Sequence, residues 1–145
     1  MSEPVRVAFM CVQNAGRSQM ATAFAEAERE RRGLAEQIDI LTGGTDPAEA
    51  VHDVVVEAMA ERDVDLSDRV PQAITTAELE SCDYVATMGC STLELDADAS
   101  AVDVRDWALP DPHGEDLDRV REIREQVRER VVALFDELEA ELADA

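Results

Sequence analysis

The chain has 145 residues, and its 34 Asp and Glu against 13 basic residues, all of them arginine, give a formal net charge of −21 at pH 7. So acidic a chain disfavours binding to nucleic acid and to anionic membrane surfaces. Hydrophobic residues make up 46% of it, which excludes a disordered acidic tail, and no stretch approaches the roughly 18 apolar residues of a membrane span. The first residues lead into an apolar segment without a charged-then-apolar leader. We expect a soluble, cytoplasmic protein of one domain, spanning residues 1–145.

The excess of acid and the absence of lysine predict a protein adapted to a salt-rich cytoplasm. In dilute buffer, self-repulsion of so many like charges destabilises a compact fold. At about 1 M salt the Debye length is about 3 Å, and most of that repulsion disappears. An acidic surface that serves a protein partner is the alternative, but it explains the missing lysine less well.

The cysteines are Cys11, Cys82 and Cys90, an odd number that does not indicate a disulfide framework. The chain has no CxxC motif, and His52 and His113 lie far from any paired-ligand spacing. We therefore predict no metal and no resident cofactor.

Hydrophobic periodicity predicts eight elements. Short apolar runs indicate strands, and apolar residues recurring every three or four positions indicate helices. In chain order these are a strand over 5–10, a helix over 17–32 ending at Gly33, a strand over 38–41 closed by residues 42–44, a helix over 51–61, a short helix from Thr75 or Thr76, strands over 84–88 and 101–104, and a helix over 117–142. Alternating strands and helices predict an α/β fold, with a parallel sheet and helices on both faces.

The segment between the first strand and the first helix carries the clearest chemical signal. A cysteine there faces a helix N-terminus, whose dipole and N–H groups lower the thiol pKa. The loop can turn its N–H groups inward around a tetrahedral oxyanion, and an arginine adds a bidentate fork. The candidate nucleophile is Cys11, and the candidate oxyanion-binding residues are Val12, Gln13, Asn14, Ala15, Gly16, Arg17 and Ser18. The alternative is an inert buried thiol beside a surface arginine.

Two further residues follow predicted strands and so reach the same edge of the sheet, where ligands of such folds bind. Asp111, in a proline-rich loop, can protonate a leaving oxygen, although Asp and Pro also favour ordinary turns. Cys90 can attack the first thiol, or it can simply fill a loop or the core. Cys82 precedes the same strand, up to about 25 Å from Cys90, and is interpreted as structural. His113 is assigned no role.

The segment that contains Cys11 and Arg17 resembles the phosphate loop of the low-molecular-weight tyrosine phosphatase superfamily. Its sequence is most similar to the thioredoxin-coupled arsenate reductase branch of that superfamily. The matching stretches are residues 9–21, 44–47, 52–59, 87–90 and 106–112, and within the first of them residues 14–21 are the part most similar to that branch. The resemblance implies a four-stranded parallel sheet in the order 2-1-3-4. It also implies that Cys11 is the nucleophile, Arg17 the oxyanion-binding arginine, Asp111 the general acid and Cys90 the first resolving cysteine.

The chain departs from that branch in two places. Residues 91–98 contain no further cysteine to carry the disulfide outward, and Thr22 stands where the family often has an acidic residue near a potassium site. No cation is assigned for that reason.

Two enzymatic hypotheses remain open. The first is an arsenate reductase whose Cys11 adduct is resolved by Cys90, with thioredoxin, glutaredoxin or a small thiol as reductant. The second is a phosphatase that hydrolyses phosphomonoesters through a phosphocysteine. A phosphotyrosine site needs aromatic walls, and the chain has only three Phe, one Tyr and one Trp, so the reductase is favoured. A non-enzymatic oxyanion-binding module would gain nothing from Cys11 together with Asp111, and it ranks last.

Overall fold

The computed structural model describes residues 4–11, 13–44, 46–88, 103–107, 109–110, 112 and 114–143. The chain forms four strands and four helices within these ranges. They are β1 (Val5–Cys11), α1 (Arg17–Arg31), β2 (Ile38–Gly44), α2 (Asp53–Ala60), α3 (Thr76–Glu80), β3 (Tyr84–Thr87), β4 (Asp103–Asp106) and α4 (Leu117–Ala143). No described helix is both long enough and apolar enough to cross a membrane.

The strands form one parallel sheet in the order β2-β1-β3-β4, as predicted. Val7 and Phe9 of β1 point into a large core formed with α1, α2 and α4. Ala8 and Met10 point to the opposite face, where they meet a smaller cluster that includes Leu79 of α3. Helices therefore lie on both faces, and β1 is buried between them because nearly all its residues are apolar.

Two strand ends differ from the prediction by more than one residue. β2 does not close at residues 42–44 but continues through them, because Thr42, Gly43 and Gly44 pair with the last residues of β1. A Cβ on Gly43 would lie 2.4 Å from Cβ of Ile74, so glycine here permits close packing and does not form a turn. β4 ends at Asp106, two residues later than predicted, and the predicted start of this strand lies outside the described residues.

The helix boundaries follow the local signals closely. Gly33, with φ of +69°, follows the end of α1 as predicted. Thr75 and Glu78 form the predicted capping box of α3, with each side chain bonded to the other residue's backbone N–H. α2 begins at Asp53, two residues later than predicted, with His52 as its N-cap.

Candidate active site

The candidate nucleophile lies at the carboxyl end of a central strand. Cys11 is the last residue of β1, only 4% of it is exposed, and α1 begins six residues later at Arg17. Between them the loop is described from Gln13 to Gly16, while Val12 lies outside the described residues. The strand therefore brings the sulfur directly beneath the amino end of α1.

Two hydrogen-bonding groups converge on the Cys11 sulfur. The Asn14 backbone N–H lies 3.2 Å from Sγ, and Ser18 Oγ lies 3.0 Å from it. A thiolate can only accept, so when Cys11 is ionised the Ser18 hydroxyl, which itself accepts from Asn14 Nδ2 over 2.8 Å, donates its proton to the sulfur. Hydrogen bonds donated to a sulfur stabilise the thiolate relative to the thiol.

Asn14 organises the loop from within. Its φ of 52° lies in the left-handed region, which Asn adopts more readily than most residues. The amide is fully buried, and Nδ2 also donates to Thr42 Oγ1 over 2.9 Å, while that hydroxyl donates to Phe9 O. A left-handed residue within such a loop is typical of an anion-binding nest of N–H groups.

The next segment of the chain holds the loop carbonyls from outside. The Gln13 carbonyl accepts from Ala48 N, and the Ala15 carbonyl accepts from His52 N, each over 3.0 Å. In a trans peptide the N–H points away from the C=O of the same unit. The N–H groups of Asn14 and Gly16 are thereby turned to the other side of the loop, and Asn14 N–H indeed points at the sulfur.

Arg17 ties the loop to the ends of two other strands. It is 8% exposed, and its Nη1 donates to Met88 O and, over 2.7 Å, to Leu109 O. Met88 directly follows β3, and Leu109 lies three residues past β4. The guanidinium is therefore fixed where the carboxyl ends of β1, β3 and β4 meet. Its planar group of N–H donors is suited to bind an oxyanion there.

Asp111, Cys90 and His113 lie outside the described residues. Their described neighbours in the chain are nevertheless at the loop. Met88, two residues before Cys90, contacts Arg17, and Pro112 packs so closely on Gly16 that a Cβ there would lie 2.8 Å from its Cγ.

Cys82 lies far from Cys11. It is buried in the smaller cluster beside Leu79 and Val85, two residues before β3, and burial raises the pKa of its thiol. Tyr84 at the start of β3 pairs with Val7, so Cys82 lies level with the start of β1. Six residues of strand then separate the two thiols, about 20 Å at 3.3 Å per residue.

All five aromatic residues of the chain are among those described, and none provides an open wall at the loop. Trp107, the candidate wall, is 5% exposed and packs on Phe9 with ring centroids 5.8 Å apart. Phe24 and Phe135 are buried in the core. Tyr84 lies at the amino end of β3, where its hydroxyl bonds to Glu141.

Four residues at the site were not singled out from the sequence. Thr42, Gln72 and Gln19 contact the Asn14 side chain, and His52 approaches Gly16, with its Cδ2 3.6 Å from an added Cβ. Only Gln19 carried a local signal, since it stands beside Arg17 and Ser18. Within the described residues, no group of three or more His, Cys, Asp and Glu is placed to hold a metal ion.

Known proteins resemble this chain over most of its length. Residues 6–144 match the family model described as low molecular weight phosphotyrosine protein phosphatase. A Halobacterium salinarum protein named "Putative arsenate reductase" is 66% identical over 129 residues, 89% of each chain. A Synechocystis protein named "Glutaredoxin arsenate reductase" is 31% identical over 90% of this chain and 95% of its own.

A solved structure shares the fold as well. The thioredoxin-dependent arsenate reductase of Corynebacterium glutamicum superimposes with a TM-score of 0.78 at 32% identity. The match covers 97% of this chain and 65% of that one, so the present chain spans about two thirds of that protein's length.

Proposed function

Because the chain belongs to the low-molecular-weight phosphotyrosine protein phosphatase family, we propose that it is an arsenate reductase, which converts arsenate to arsenite through a Cys11 adduct resolved by Cys90. The observation that carries the proposal is the Cys11 sulfur, which two hydrogen-bond donors hold inside a loop closed by Arg17. Such a site stabilises a thiolate next to a place for a tetrahedral oxyanion.

Arsenate binds in this proposal as phosphate would, since both are tetrahedral oxyanions of similar charge. Loop N–H groups over residues 12–18 surround the oxyanion. Arg17, whose Nη1 donates to the two carbonyls, supplies the planar guanidinium that makes a bidentate contact with substrate. The amino end of α1 adds the positive end of its dipole.

The first chemical step forms a bond between sulfur and arsenic. The Cys11 thiolate attacks arsenic, and an arsenate oxygen leaves as water after taking a proton from Asp111. The packing of Pro112, the residue after Asp111, against Gly16 supports this role. A donor at the leaving oxygen avoids the expulsion of hydroxide.

The second step reduces arsenic. A Cys90 thiolate attacks the Cys11 sulfur, a disulfide forms, and the electron pair of the sulfur–arsenic bond goes to arsenic, which leaves as arsenite. Two electrons have then come from two thiols. Thioredoxin, glutaredoxin or two equivalents of a small thiol return them to the Cys11–Cys90 disulfide. Relatives named for thioredoxin and for glutaredoxin support a thiol-type reductant without selecting one.

Phosphatase activity is the second candidate function, because the matched family is defined by phosphotyrosine phosphatases. The burial of Trp107 against Phe9 argues against it, since a phosphotyrosine ring needs an open aromatic wall. We expect the loop, which suits either oxyanion, to hydrolyse small phosphoesters weakly. Turnover of arsenate should depend on Cys90, and hydrolysis of phosphoesters should not.

We also propose that the chain acts as a single domain in a salt-rich cytoplasm and contributes to arsenic resistance. Its net charge of −21 and the identity it shares with a Halobacterium protein support the environment.

The test is arsenate turnover by purified variants in concentrated KCl, with dithiothreitol as reductant. We expect Cys11→Ser to abolish arsenite release and Arg17→Lys to lower turnover by about 100-fold, the usual loss for one oxyanion-stabilising group. Cys82→Ser is the matched control, because that thiol lies about 20 Å from Cys11. Wild-type turnover by Cys11→Ser would refute the proposal.

A further inference from the structure

Gln19 is a buried amide without a role in the chemistry above. It is the third residue of α1, is 2% exposed, and donates from Nε2 to Asn14 Oδ1 over 2.9 Å. Its Oε1 is also buried and accepts no hydrogen bond in the described part of the chain. An acceptor left in this state destabilises a fold, so folding alone favours an apolar residue of the same size here.

The donor from Gln19 has a definite consequence for the Asn14 amide. Asn14 Oδ1 accepts one hydrogen bond from Gln19 Nε2 and a second, over 3.0 Å, from the backbone N–H of Gln72. With two donors on Oδ1, Nδ2 must face Ser18 Oγ and Thr42 Oγ1, at 2.8 and 2.9 Å.

The opposite orientation of that amide would change the site. A half-turn would bring Nδ2 against the two donors and Oδ1 against Ser18 Oγ. Oδ1 would then accept the Ser18 hydroxyl proton, which in the observed arrangement of the amide is available to the Cys11 thiolate 3.0 Å away. One of the two described donors to the sulfur would be lost.

We propose that Gln19 is a positioning residue, which holds the Asn14 amide in the orientation that commits the Ser18 hydroxyl proton to the Cys11 thiolate. The proposal concerns the nucleophile of the function proposed above and so rests on it. The thiolate itself, however, can be measured without arsenate.

The test compares Gln19→Met with Thr22→Val. Methionine keeps the size of the side chain but has no donor. Thr22 is equally buried on the same helix, and its hydroxyl bonds to Ser18 O over 2.7 Å, so its loss removes one buried hydrogen bond without touching Asn14. The charged or titratable groups described beside the loop, Arg17 and His52, are unchanged in both variants.

Two readouts report the thiolate. One is its ultraviolet absorbance across a pH titration, with a Cys11→Ser sample subtracted, and the other is the rate of alkylation by iodoacetamide at neutral pH. We expect Gln19→Met to lower the alkylation rate about fivefold, the effect of about one neutral hydrogen bond. Thr22→Val should keep the wild-type rate, and the melting temperature of Gln19→Met should be equal to or above that of the wild type.

A double-mutant cycle tests the route through Ser18. In a Ser18→Ala background, Gln19→Met should cause no further loss of alkylation rate. The wild-type rate in Gln19→Met, or an undiminished fivefold loss in the Ser18→Ala background, would overturn the proposal. Should Gln19→Met fail to fold, Gln19→Leu replaces it, because leucine is also apolar and has no donor for Asn14. If Gln19→Met lowers the alkylation rate of Cys11 but the wild type does not turn over arsenate, the proposed reductase function is refuted and the positioning role of Gln19 is retained.

Discussion

Removal of the Ser18 hydroxyl tests how the loop sustains a thiolate. In Ser18→Ala the sulfur keeps the Asn14 N–H at 3.2 Å and loses the hydroxyl at 3.0 Å. A hydrogen bond to a charged group contributes about 1.5–3 kcal/mol, and 1.36 kcal/mol corresponds to a tenfold change in population. Ser18 is fully buried, so water cannot readily replace its hydroxyl. We therefore expect the equilibrium ratio of thiolate to thiol to fall by about tenfold or more.

The assay is the rate of Cys11 alkylation by iodoacetamide, located by peptide mass. At strongly alkaline pH every thiol is ionised, so the rates of Ser18→Ala and the wild type should converge there. Ser67→Ala is the control, since this exposed serine donates to Asp65 and lies outside the loop. Alkylation rates for Ser18→Ala within twofold of the wild type at every pH of the titration would show that the hydroxyl does not sustain the thiolate.

Three further predictions concern the packing of Gly16, the ion pairs of Glu61 and the net charge of the chain. Gly16→Ala places a Cβ 2.8 Å from Pro112 Cγ, so the loop must shift. We expect arsenate turnover to fall by about 100-fold, the usual effect of a displacement of about 1 Å near a reacting centre. Turnover near the wild-type value would contradict this prediction. Arg121 and Arg124 lower the pKa of Glu61 from 4.5 to about 2. The stability that the ionised Glu61 contributes to the fold is therefore complete above pH 4.5 and is lost as the pH falls through 2. Glu61→Gln should flatten this part of the acid-unfolding curve, and an unchanged curve would refute the prediction. The melting temperature should rise with added KCl, because 34 acidic residues exceed the 13 arginines that can pair with them, and a flat or falling curve would refute the account of the charge.

The sequence was sufficient where the determining contacts are local. A buried strand, a short loop and an alanine-rich helix over residues 5–31 could be predicted because the periodicity and the stop at Gly33 are properties of neighbouring residues. The same is true of the capping box at Thr75, in which both partners lie within one turn.

Long-range contacts could not be predicted in this way. Thr42 and Gln72 meet Asn14 from 28 and 58 residues away, and the Leu109 carbonyl meets Arg17 from 92 residues away. Residues 42–44 carry a turn signal in isolation, but pairing with β1 and packing against Ile74 make them strand. Tertiary packing overrides local preference at these positions.

The most direct test of the central claim is a single-turnover thiol count. Arsenate is added to the fully reduced protein in concentrated KCl without any reductant, free thiols are counted, and disulfides are mapped by peptide mass. We predict the loss of two of the three thiols as a Cys11–Cys90 disulfide, one arsenite released per chain, and Cys82 unchanged. Three free thiols and no arsenite would contradict the account.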